Sequence, residues 1–346
     1  MKHYLFIFPK SLNENILKSQ LFPVISYLNQ GNNRCSIYFE KPIEMKQYEH
    51  VQYDVVNQTD LKEVMRKADY LYIRNIFTFI KYFSSKFRKR NSFKLIYDFR
   101  GFTAFESFYV QKNPIKFIVA LFFEFLAYRL SDEILTVSEG FKSKLAKLYG
   151  KRDVQVLPCC TSRIIKKESI LDINKEVKFV YCGGLDKWQK IDQILILYSE
   201  LSKLFKNPSL PIYTRSTEKA KTILAEHNLT DVTVDSLPHE KLMKKLENYN
   251  FAFLLRDDIT VNNVASPIKF AEYISAGLIP ILSPGIGDYS SLVREEKIGL
   301  ITDKTFHVDE KNLGEIIEDK SIFDRIFQIA QTYQWENRLP QISVYN

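Results

Sequence analysis

The stretch KFVYCGGLDKWQKIDQIL, residues 178–195, decides the fold. An apolar run typical of a strand is followed by two glycines, and then by a segment whose apolar residues have helical spacing. Gly183 and Gly184 allow the backbone to approach a ligand closely, as in loops that bind phosphate. A Gly-Gly pair also fits a simple turn between a strand and a helix. The stretch therefore predicts a βα unit, and its wider context must decide between these two roles.

The same alternation of strand-like and helical segments occupies the rest of the chain, and it starts twice. In the first half the strand-like runs are residues 4–8, 35–39, 70–74, 94–98, 134–137 and 154–157. In the second half they are residues 178–182, 211–214, 231–235, 251–255 and 279–282. Repeated βα units predict an α/β protein with two doubly wound parallel sheets. The polar stretch 161–176 is the predicted linker between them.

Length and composition favour two domains in a reducing compartment. The chain has 346 residues, of which 45% are hydrophobic, enough for two cores. Its four cysteines form no C-x-x-C pair, so we expect neither a disulfide framework nor a zinc site. The apolar run at the N-terminus is too short for a signal peptide, and charged residues interrupt the most membrane-like segment, residues 115–130. We expect a cytoplasmic protein.

Charge is shared unevenly between the two halves. Residues 1–170 contain 28 Lys and Arg against 16 Asp and Glu, a net charge of +12, and the remaining residues have a net charge of −4. A basic half predicts an anionic partner. No nucleic-acid-binding motif accompanies the charge, so we expect no nucleic acid and favour an anionic membrane surface. The segment IFTFIKYFSSKFRKR, residues 76–90, combines an aromatic helical stripe with a basic end, and it is either the predicted membrane contact or a core helix with a solvated end.

A second ligand-binding pattern is SPIKFAEYISAG, residues 266–277. Ser266 is predicted as the N-cap of a helix, Pro267 as its first residue, and Gly277 as its end. Lys269 then lies at the positive end of the helix dipole, which is unfavourable unless an anion binds there. Glu272 shares its face and could accept hydrogen bonds from sugar hydroxyls. The pattern predicts a nucleotide site, although an amphipathic helix with solvated Lys and Glu would look the same.

These stretches resemble the retaining glycosyltransferases of family 4, which have the GT-B fold. Residues 131–145 and 156–160 are similar to the end of that family's first domain, and residues 181–195 to its glycine loop. Residues 266–283 are similar to its nucleotide-binding helix, and YQWENRL (333–339) to the segment that returns to the first domain. The resemblance implies an acceptor-side domain at 1–163, a sugar-nucleotide domain at 164–330, a C-terminal segment at 331–346 that packs back on the first domain, and a cleft between the domains.

The sequence departs from the family pattern at three positions that matter. Gly184 occupies the position of the family's loop arginine, and Gln189 that of its lysine, with Lys190 one residue later. Glu272 matches the second of the family's paired glutamates, but Val264 replaces the first. The resemblance assigns Glu272 to the donor ribose. Another cation must then hold the pyrophosphate.

Arg256 and Lys269 are the predicted substitutes, because a guanidinium can bind phosphate oxygens through two hydrogen bonds. Arg256 could instead be a surface residue paired with Asp257 or Asp258. Since cations and helix N–H groups can neutralise a diphosphate, we expect neither a metal ion nor a cofactor. Asp257 and Asp258 remain the alternative metal-binding pair.

Further site residues follow other predicted strands, at the edge where parallel sheets bind ligands. Gly285, Gly287 and Asp288 belong to a loop that is either a contact of the donor sugar or a simple turn, and Thr214 follows another strand of the second half. Asp98 and Arg100, in YDFRG, are predicted to meet the acceptor or the transferred sugar, with a loop salt bridge as the alternative.

The sequence thus predicts an enzyme that transfers a sugar from a nucleotide diphosphate sugar to a glycan or polyprenyl-linked acceptor. The resemblance implies retention and a role in capsule or lipopolysaccharide synthesis, at the inner face of the cell membrane. Two alternatives remain: a sugar-nucleotide epimerase on the same fold, and a degenerate binding module without catalytic activity. The lost loop arginine and first glutamate keep the binding module open.

Overall fold

The computed structural model describes residues 1–8, 16–40, 51–84, 92–167, 176–227, 229 and 232–346. The chain divides into two compact units, residues 1–159 together with 335–346, and residues 160–334. The limits predicted from the sequence, after residues 163 and 330, each differ from these divisions by four residues. We call the two units the first and the second domain.

The first domain contains one parallel sheet. In the described part of the chain its seven strands have the order β3-β2-β1-β4-β5-β6-β7. The strands are β1 (His3–Phe8), β2 (Arg34–Phe39), β3 (Asp54–Val55), β4 (Tyr70–Ile73), β5 (Lys94–Phe99), β6 (Glu133–Thr136) and β7 (Gln155–Val156). Central strands such as β1 are almost continuously apolar, and Tyr4 to Phe8 are fully buried. Such runs are expected where helices cover both faces of a parallel sheet.

Helices connect these strands, as the parallel pairing requires. They are α1 (Phe22–Gln30), α2 (Leu61–Lys67), α3 (Ile76–Tyr82), α4 (Thr103–Gln111), α5 (Pro114–Leu130) and α6 (Glu139–Tyr149). The C-terminal segment starts with α15 (Trp335–Arg338) and belongs to the first domain. There the Tyr4 hydroxyl donates a hydrogen bond to the Val344 carbonyl, at 2.9 Å.

The second domain also contains one parallel sheet, with six described strands in the order β10-β9-β8-β11-β12-β13. The strands are β8 (Phe179–Cys182), β9 (Leu210–Tyr213), β10 (Val232–Asp235), β11 (Phe251–Leu254), β12 (Ile279–Leu282) and β13 (Leu300–Ile301). The chain first builds outward from β8 and then returns to its other side with β11. The switch in direction therefore lies between β8 and β11, where doubly wound sheets bind ligands at the carboxyl ends of their strands.

The helices of the second domain flank this sheet. They are α7 (Ile191–Ser202), α8 (Thr217–Glu226), α9 (His239–Leu246), α10 (Thr260–Asn263), α11 (Ile268–Ser275), α12 (Tyr289–Glu295), α13 (Glu310–Glu318) and α14 (Ile322–Thr332). Their apolar faces pack on the sheet in one buried core, which includes Phe179, Ile194, Phe253, Tyr273 and Ile281. This core fixes the positions of the loops that leave β8, β11 and β12.

The sequence predictions of strands are confirmed, with two additions. All eleven predicted strands are present within two residues of their predicted ends, and their parallel pairing confirms the two doubly wound sheets. The sequence did not predict β3 and β13, which have only two residues each and so carry no apolar run of recognisable length. Both lie at sheet edges, where one neighbour suffices for pairing.

Two sequence predictions concern regions that the structure describes only in part. The segment 76–90 forms α3 up to Tyr82, and its basic end, Lys86 to Arg90, lies outside the described residues. Residues 168–175 of the predicted linker also lie outside them, whereas Ile165 donates a backbone hydrogen bond to the Ser275 carbonyl in the second domain. Within the described ranges, no helix is both long and apolar enough to cross a bilayer.

Candidate functional site

The glycine turn after β8 is shaped around a lysine. Gly183 has a φ of +147°, a conformation that favours glycine, and its N–H donates to the Tyr213 carbonyl at 2.9 Å. A Cβ atom on Gly183 would overlap Nζ of Lys269, which lies directly against the turn. Both the conformation and the space therefore require glycine at this position. The turn and the start of α11, predicted separately from the sequence, form one site.

Lys269 donates its side-chain hydrogen bonds to neutral groups. Its Nζ donates to Oε1 of Gln189 at 2.9 Å and to the Tyr181 hydroxyl at 3.2 Å, and it lies 4.6 Å from the centroid of the Tyr181 ring. Burial, with Arg256 as the next cause, lowers the pKa of Lys269 to about 7. Among the residues that the structure describes, no carboxylate forms an ion pair with this lysine. An anionic ligand would therefore stabilise its charged form.

Arg256 follows β11 and is only partly satisfied. Its backbone N–H donates to Oγ of Ser283 at 2.7 Å, and its Nη1 is 3.4 Å from Oδ1 of Asn262. Its Nε is buried and has no hydrogen-bond partner within the described part of the chain. Burial lowers the pKa of this guanidinium. A buried donor without an acceptor is unfavourable, and an incoming phosphate oxygen could supply that acceptor.

Lys190, in contrast, has a partner. It precedes α7 with a φ of +53°, and its Nζ is 2.6 Å from Oδ1 of Asp257. This pair neutralises the lysine and occupies the first of the two adjacent aspartates. In the described residues no group of three His, Cys, Asp or Glu side chains could hold a metal ion. Arg256 and Lys269 are thus the cations of this site whose charge is left without a carboxylate.

Glu272 lies one turn further along α11 and is nearly enclosed, with 12% of its side chain exposed. Burial raises its pKa, although His239 and Lys269 oppose this shift. His239 Nδ1 is 3.7 Å from Oε1 of Glu272. The sequence analysis missed His239 because it stands outside every motif, as the first residue of α9. Only the packing of α9 near α11 reveals it.

The start of α11 differs from the prediction by one residue. The helix begins at Ile268, and Pro267 is its N-cap in an extended conformation, so the assignment of Ser266 as N-cap and Pro267 as first helical residue is wrong. The Ser266 hydroxyl forms a 2.5 Å hydrogen bond with the Tyr289 hydroxyl. Lys269 is therefore the second residue of the helix, still in its first turn. Gly277, with a φ of +70°, ends the helix as predicted.

The glycine-rich loop after β12 folds onto the same region. Gly285 and Gly287 have φ values of +77° and +49°. A Cβ atom on Gly285 would overlap Oδ1 of Asp258, and one on Gly287 would overlap the Ala265 carbonyl. The Gly287 N–H also donates to the Asn262 carbonyl at 2.9 Å. The loop is therefore packed against the segment between Arg256 and α11.

Two further predicted residues have local roles in the structure. Asp288 is the N-cap of α12, although its side chain makes no capping hydrogen bond. Thr214 is buried after β9, and its Oγ1 accepts the Ser216 N–H at 3.2 Å. Among the predicted site residues, the structure places Gly183 against Lys269 and pairs Lys190 with Asp257, the residue after Arg256.

The predicted acceptor residues of the first domain form an enclosed ion pair. Asp98 is fully buried in β5, and its Oδ2 accepts hydrogen bonds from the Tyr72 hydroxyl and, at 2.6 Å, from Nε of Arg100. Arg100 also donates to the Leu157 carbonyl at 3.2 Å. Burial lowers the pKa of Arg100, but Asp98, Tyr72 and Cys159 together more than offset this and leave the pKa raised. This geometry contradicts an accessible Asp98 and matches the alternative, a salt bridge.

Solved structures share this fold across nearly the whole chain. HepE from Anabaena, in complex with UDP-glucose, has a TM-score of 0.72 and 12% identity, covering 99% of each chain. Sucrose-phosphate synthase from Thermosynechococcus elongatus has a TM-score of 0.70 and 12% identity, covering 100% of this chain and 98% of its own. WaaG, a glycosyltransferase involved in lipopolysaccharide biosynthesis, has a TM-score of 0.66 and 12% identity, covering 99% of each chain.

These likenesses, together with the two parallel sheets, define the GT-B fold predicted from the sequence. No protein-family model matches the sequence, and no curated protein matches it. At 12% identity, the similarity extends to the fold. The chemistry must be argued from the residues.

Proposed function

We propose that this protein is a glycosyltransferase that moves a sugar from a nucleotide diphosphate sugar to a glycan or lipid-linked glycan acceptor. The observation that carries the proposal is the pair Arg256 and Lys269, two enclosed cations without a carboxylate partner among the described residues. They follow β11 and open α11, beside the switch point of the second sheet. A diphosphate supplies the negative charge and the acceptors that both side chains need.

The chemistry follows from this charge. In sugar transfer the bond between the anomeric carbon and the phosphate oxygen breaks, and negative charge grows on the leaving diphosphate. Preorganised cations stabilise that charge more in the transition state than in the bound donor, which accelerates the reaction. Retention of configuration belongs to this proposal through the resemblance to family 4. In that scheme the departing phosphate oxygen accepts the acceptor's proton, so no side-chain base is required.

The donor nucleotide is proposed to lie along α11. Glu272 is placed one turn beyond Lys269, where its carboxylate can accept hydrogen bonds from a ribose, with His239 beside it. Support for a uridine nucleotide comes from HepE, whose structure holds UDP-glucose on the same fold. The turn at Gly183 and the loop of Gly285 and Gly287 would surround the phosphates and the donor sugar.

The cellular role is proposed to be synthesis of a surface polysaccharide, such as capsule or lipopolysaccharide, by an enzyme at the inner face of the cell membrane. WaaG, which shares the fold, is involved in lipopolysaccharide biosynthesis. The net charge of +12 in residues 1–170 suits an anionic or membrane-borne acceptor.

Incubation with a panel of labelled nucleotide sugars tests the proposal. Transfer or slow hydrolysis, with release of a nucleoside diphosphate, is the expected result. Conversion of the sugar without release would indicate the epimerase alternative, and tight binding without turnover the non-catalytic module. Wild type and Lys269→Ala would be assayed in parallel, because only activity that depends on this site counts.

Metal independence is a separate part of the proposal. Because Lys190 already pairs with Asp257, this aspartate is not free to bind a cation unless the pair opens. We expect activity to survive treatment with a chelator, measured as nucleoside diphosphate release before and after addition. Loss of activity that magnesium or manganese restores would contradict this and assign Asp257 and Asp258 to a metal site.

A further inference from the structure

A continuous apolar stripe is exposed on α5 of the first domain. We use the name apolar stripe for Ile115, Ile118, Val119, Phe122 and Phe125. Their exposed fractions are 74%, 65%, 49%, 55% and 39%. The spacing of three and four residues places all five on one side of the helix. Isolated exposed apolar residues are ordinary, but a contiguous helical face of this kind marks an interaction surface.

The opposite side of α5 explains why the stripe faces outward. Glu124, Ala127 and Tyr128 are buried and hold the helix on the domain. Near its start, Phe117 packs against Phe105 and Phe108 of α4, with ring centroids 5.2 and 5.0 Å apart. The helices α4 and α5 therefore form a hairpin with its own aromatic contacts. The stripe is what remains after that packing, and in the described residues no helix covers it.

The charges of this hairpin have one sign at its tip. Lys112 ends α4, with its Nζ 5.0 Å from the Tyr109 ring, and Lys116 donates to Oε1 of Gln111 at 2.9 Å. Neither has a carboxylate partner in the described chain. Within 103–130 the acidic residues are Glu106 and Glu124. Glu124 is buried, accepts the Ala104 N–H at 3.3 Å, and has its pKa raised by burial to about 8, so it adds little negative charge.

We propose that the α4–α5 hairpin is a membrane-binding surface, in which the apolar stripe enters the interface of an anionic bilayer and Lys112 and Lys116 contact the headgroups. An amphipathic helix binds in this way when its apolar face is exposed and basic residues flank it. Each basic side chain near an anionic surface adds attraction, and the apolar side chains add burial. The charge complementarity favours lipid over a second copy of this basic domain, which would repel it.

This inference deepens the membrane location in the proposed function, because it names the surface that binds lipid, and it holds whether or not the protein transfers a sugar. It also assigns membrane contact to a different segment from the one expected from the sequence. That expectation rested on residues 76–90, whose basic end lies outside the described residues. The two surfaces make different predictions, since insertion of apolar side chains resists salt and binding by a basic cluster alone does not.

Co-sedimentation of the full chain with vesicles tests the proposal. Vesicles would contain equal parts of phosphatidylglycerol and phosphatidylcholine, or phosphatidylcholine alone. We expect Ile118→Glu/Phe122→Glu to bind the anionic vesicles at least about tenfold more weakly than wild type. The matched control is Ile196→Glu/Leu204→Glu, which changes residues of 47% and 50% exposure in the second domain and should bind like wild type. Thermal melts would confirm that both variants fold.

A second readout reports insertion itself. In Phe122→Trp, brominated acyl chains should quench the emission of the new tryptophan. The extent of quenching should exceed that seen in wild type, which contains only Trp188 and Trp335. Equal vesicle binding by wild type and the stripe variant would overturn the proposal. So would a wild type that ignores vesicles and forms a dimer that the stripe variant loses, because the stripe would then join two copies. Donor binding, measured by calorimetry, should not change in the stripe variant, so failure of this proposal is distinguishable from failure of the proposed function.

Discussion

Two groups of enclosed charge, one in each domain, differ in a way that separates structure from function. In the first domain Arg100 is paired with Asp98, which Tyr72 also contacts. In the second domain the side chains of Arg256 and Lys269 have, among the described residues, only neutral hydrogen-bond partners, and Arg256 helps to lower the pKa of Lys269. Asp98 lies near the end of β5 and Arg100 directly after it, and Arg256 follows β11. From the sequence alone they look alike, as charged residues at the strands' carboxyl ends.

The difference teaches where to expect a ligand. An enclosed charge is costly unless a countercharge and hydrogen bonds compensate for lost hydration. The Asp98–Arg100 pair supplies its own countercharge, although Oδ1 of Asp98 is buried without a hydrogen-bond partner in the described part of the chain. The Arg256–Lys269 group does not, and the missing countercharge is the physical argument for an anionic ligand. Substitutions should therefore affect stability in the first group and activity in the second.

The largest expected effect is on stability, from Asp98→Ala. Removing one partner of an enclosed ion pair leaves the other uncompensated, so we expect the free energy of unfolding to fall by about 3–5 kcal/mol. Denaturant unfolding followed by circular dichroism measures it. The control is Asp54→Ala, whose pair with Arg34 is 58% exposed on both sides, where a loss below about 1 kcal/mol is expected. If Asp98→Ala has normal stability but no transfer activity, Asp98 belongs to the acceptor site. The contrast between a structural charge pair and a ligand-binding one would then not hold.

The next effect concerns turnover in Arg256→Ala. Loss of a cation that contacts the leaving diphosphate should lower kcat by about 10²–10³-fold. Stability should hardly change, because the substitution removes an unpaired guanidinium along with its unsatisfied Nε. Steady-state kinetics and thermal melts provide the two readouts, with Arg294→Ala, an exposed arginine on α12, as control. An active Arg256→Ala would leave Lys269 and backbone N–H groups as the phosphate ligands.

A smaller effect is expected for Glu272→Ala, which removes the proposed ribose acceptor. Loss of a hydrogen bond to a charged group should weaken donor binding by about 1.5–3 kcal/mol. Isothermal calorimetry with the nucleoside diphosphate measures this affinity, and Glu295→Ala, an exposed glutamate on α12, is the matched control. Unchanged affinity in a folded Glu272→Ala protein would exclude the carboxylate from the site.

The smallest effect is a pH dependence that comes from Lys269. Its lowered pKa of about 7 means that the free protein loses this charge as the pH rises above 7. A diphosphate favours the charged form, so donor binding should take up a proton and weaken by up to about tenfold per pH unit above 7. Stability of the free protein should change in the opposite sense, because the unfolded lysine keeps its proton up to about pH 10.4.

Calorimetry across pH 6 to 9 checks the binding trend, and Lys269→Arg should flatten it, because a guanidinium keeps its charge throughout this range. Buffers with different ionisation enthalpies would reveal the proton uptake directly. A wild-type affinity that does not vary with pH would show that Lys269 stays charged in the free protein, and the contrast between the two domains would then rest on Arg256.

The fold could be predicted from the sequence because its signals are local. Apolar runs, helical spacing and glycines indicate where the strands and turns lie. They place Gly183 after β8, Arg256 after β11 and Lys269 in the first turn of α11, where the structure also has them. Partners brought together by the fold could not be found in this way. Tyr181 and Gln189 contact Lys269 only because β8 packs beside α11, and His239 reaches Glu272 from another helix.

The wrong N-cap assignment of Ser266 and the unexpected enclosure of Asp98 have the same origin. Ser266 has the residue type and the sequence position typical of an N-cap. Its hydroxyl nevertheless forms a hydrogen bond with the hydroxyl of Tyr289, which lies in a helix further along the chain. Asp98 carries the marks of a cleft residue, yet Tyr72 and Arg100 enclose it. A polar side chain is available to a ligand only when neighbouring side chains do not already bind it. The distances between such neighbours depend on the fold and cannot be read from the linear sequence.

The close approach of Gly183 and Lys269 has a consequence for how this site can change. A methyl group at position 183 and the ammonium group at position 269 would occupy the same volume. A larger residue at position 183 would therefore displace the lysine, and it would also have to adopt the φ of +147° that favours glycine. The glycine thus leaves this space to the side chain of Lys269, so the helix supplies the positive charge beside the turn.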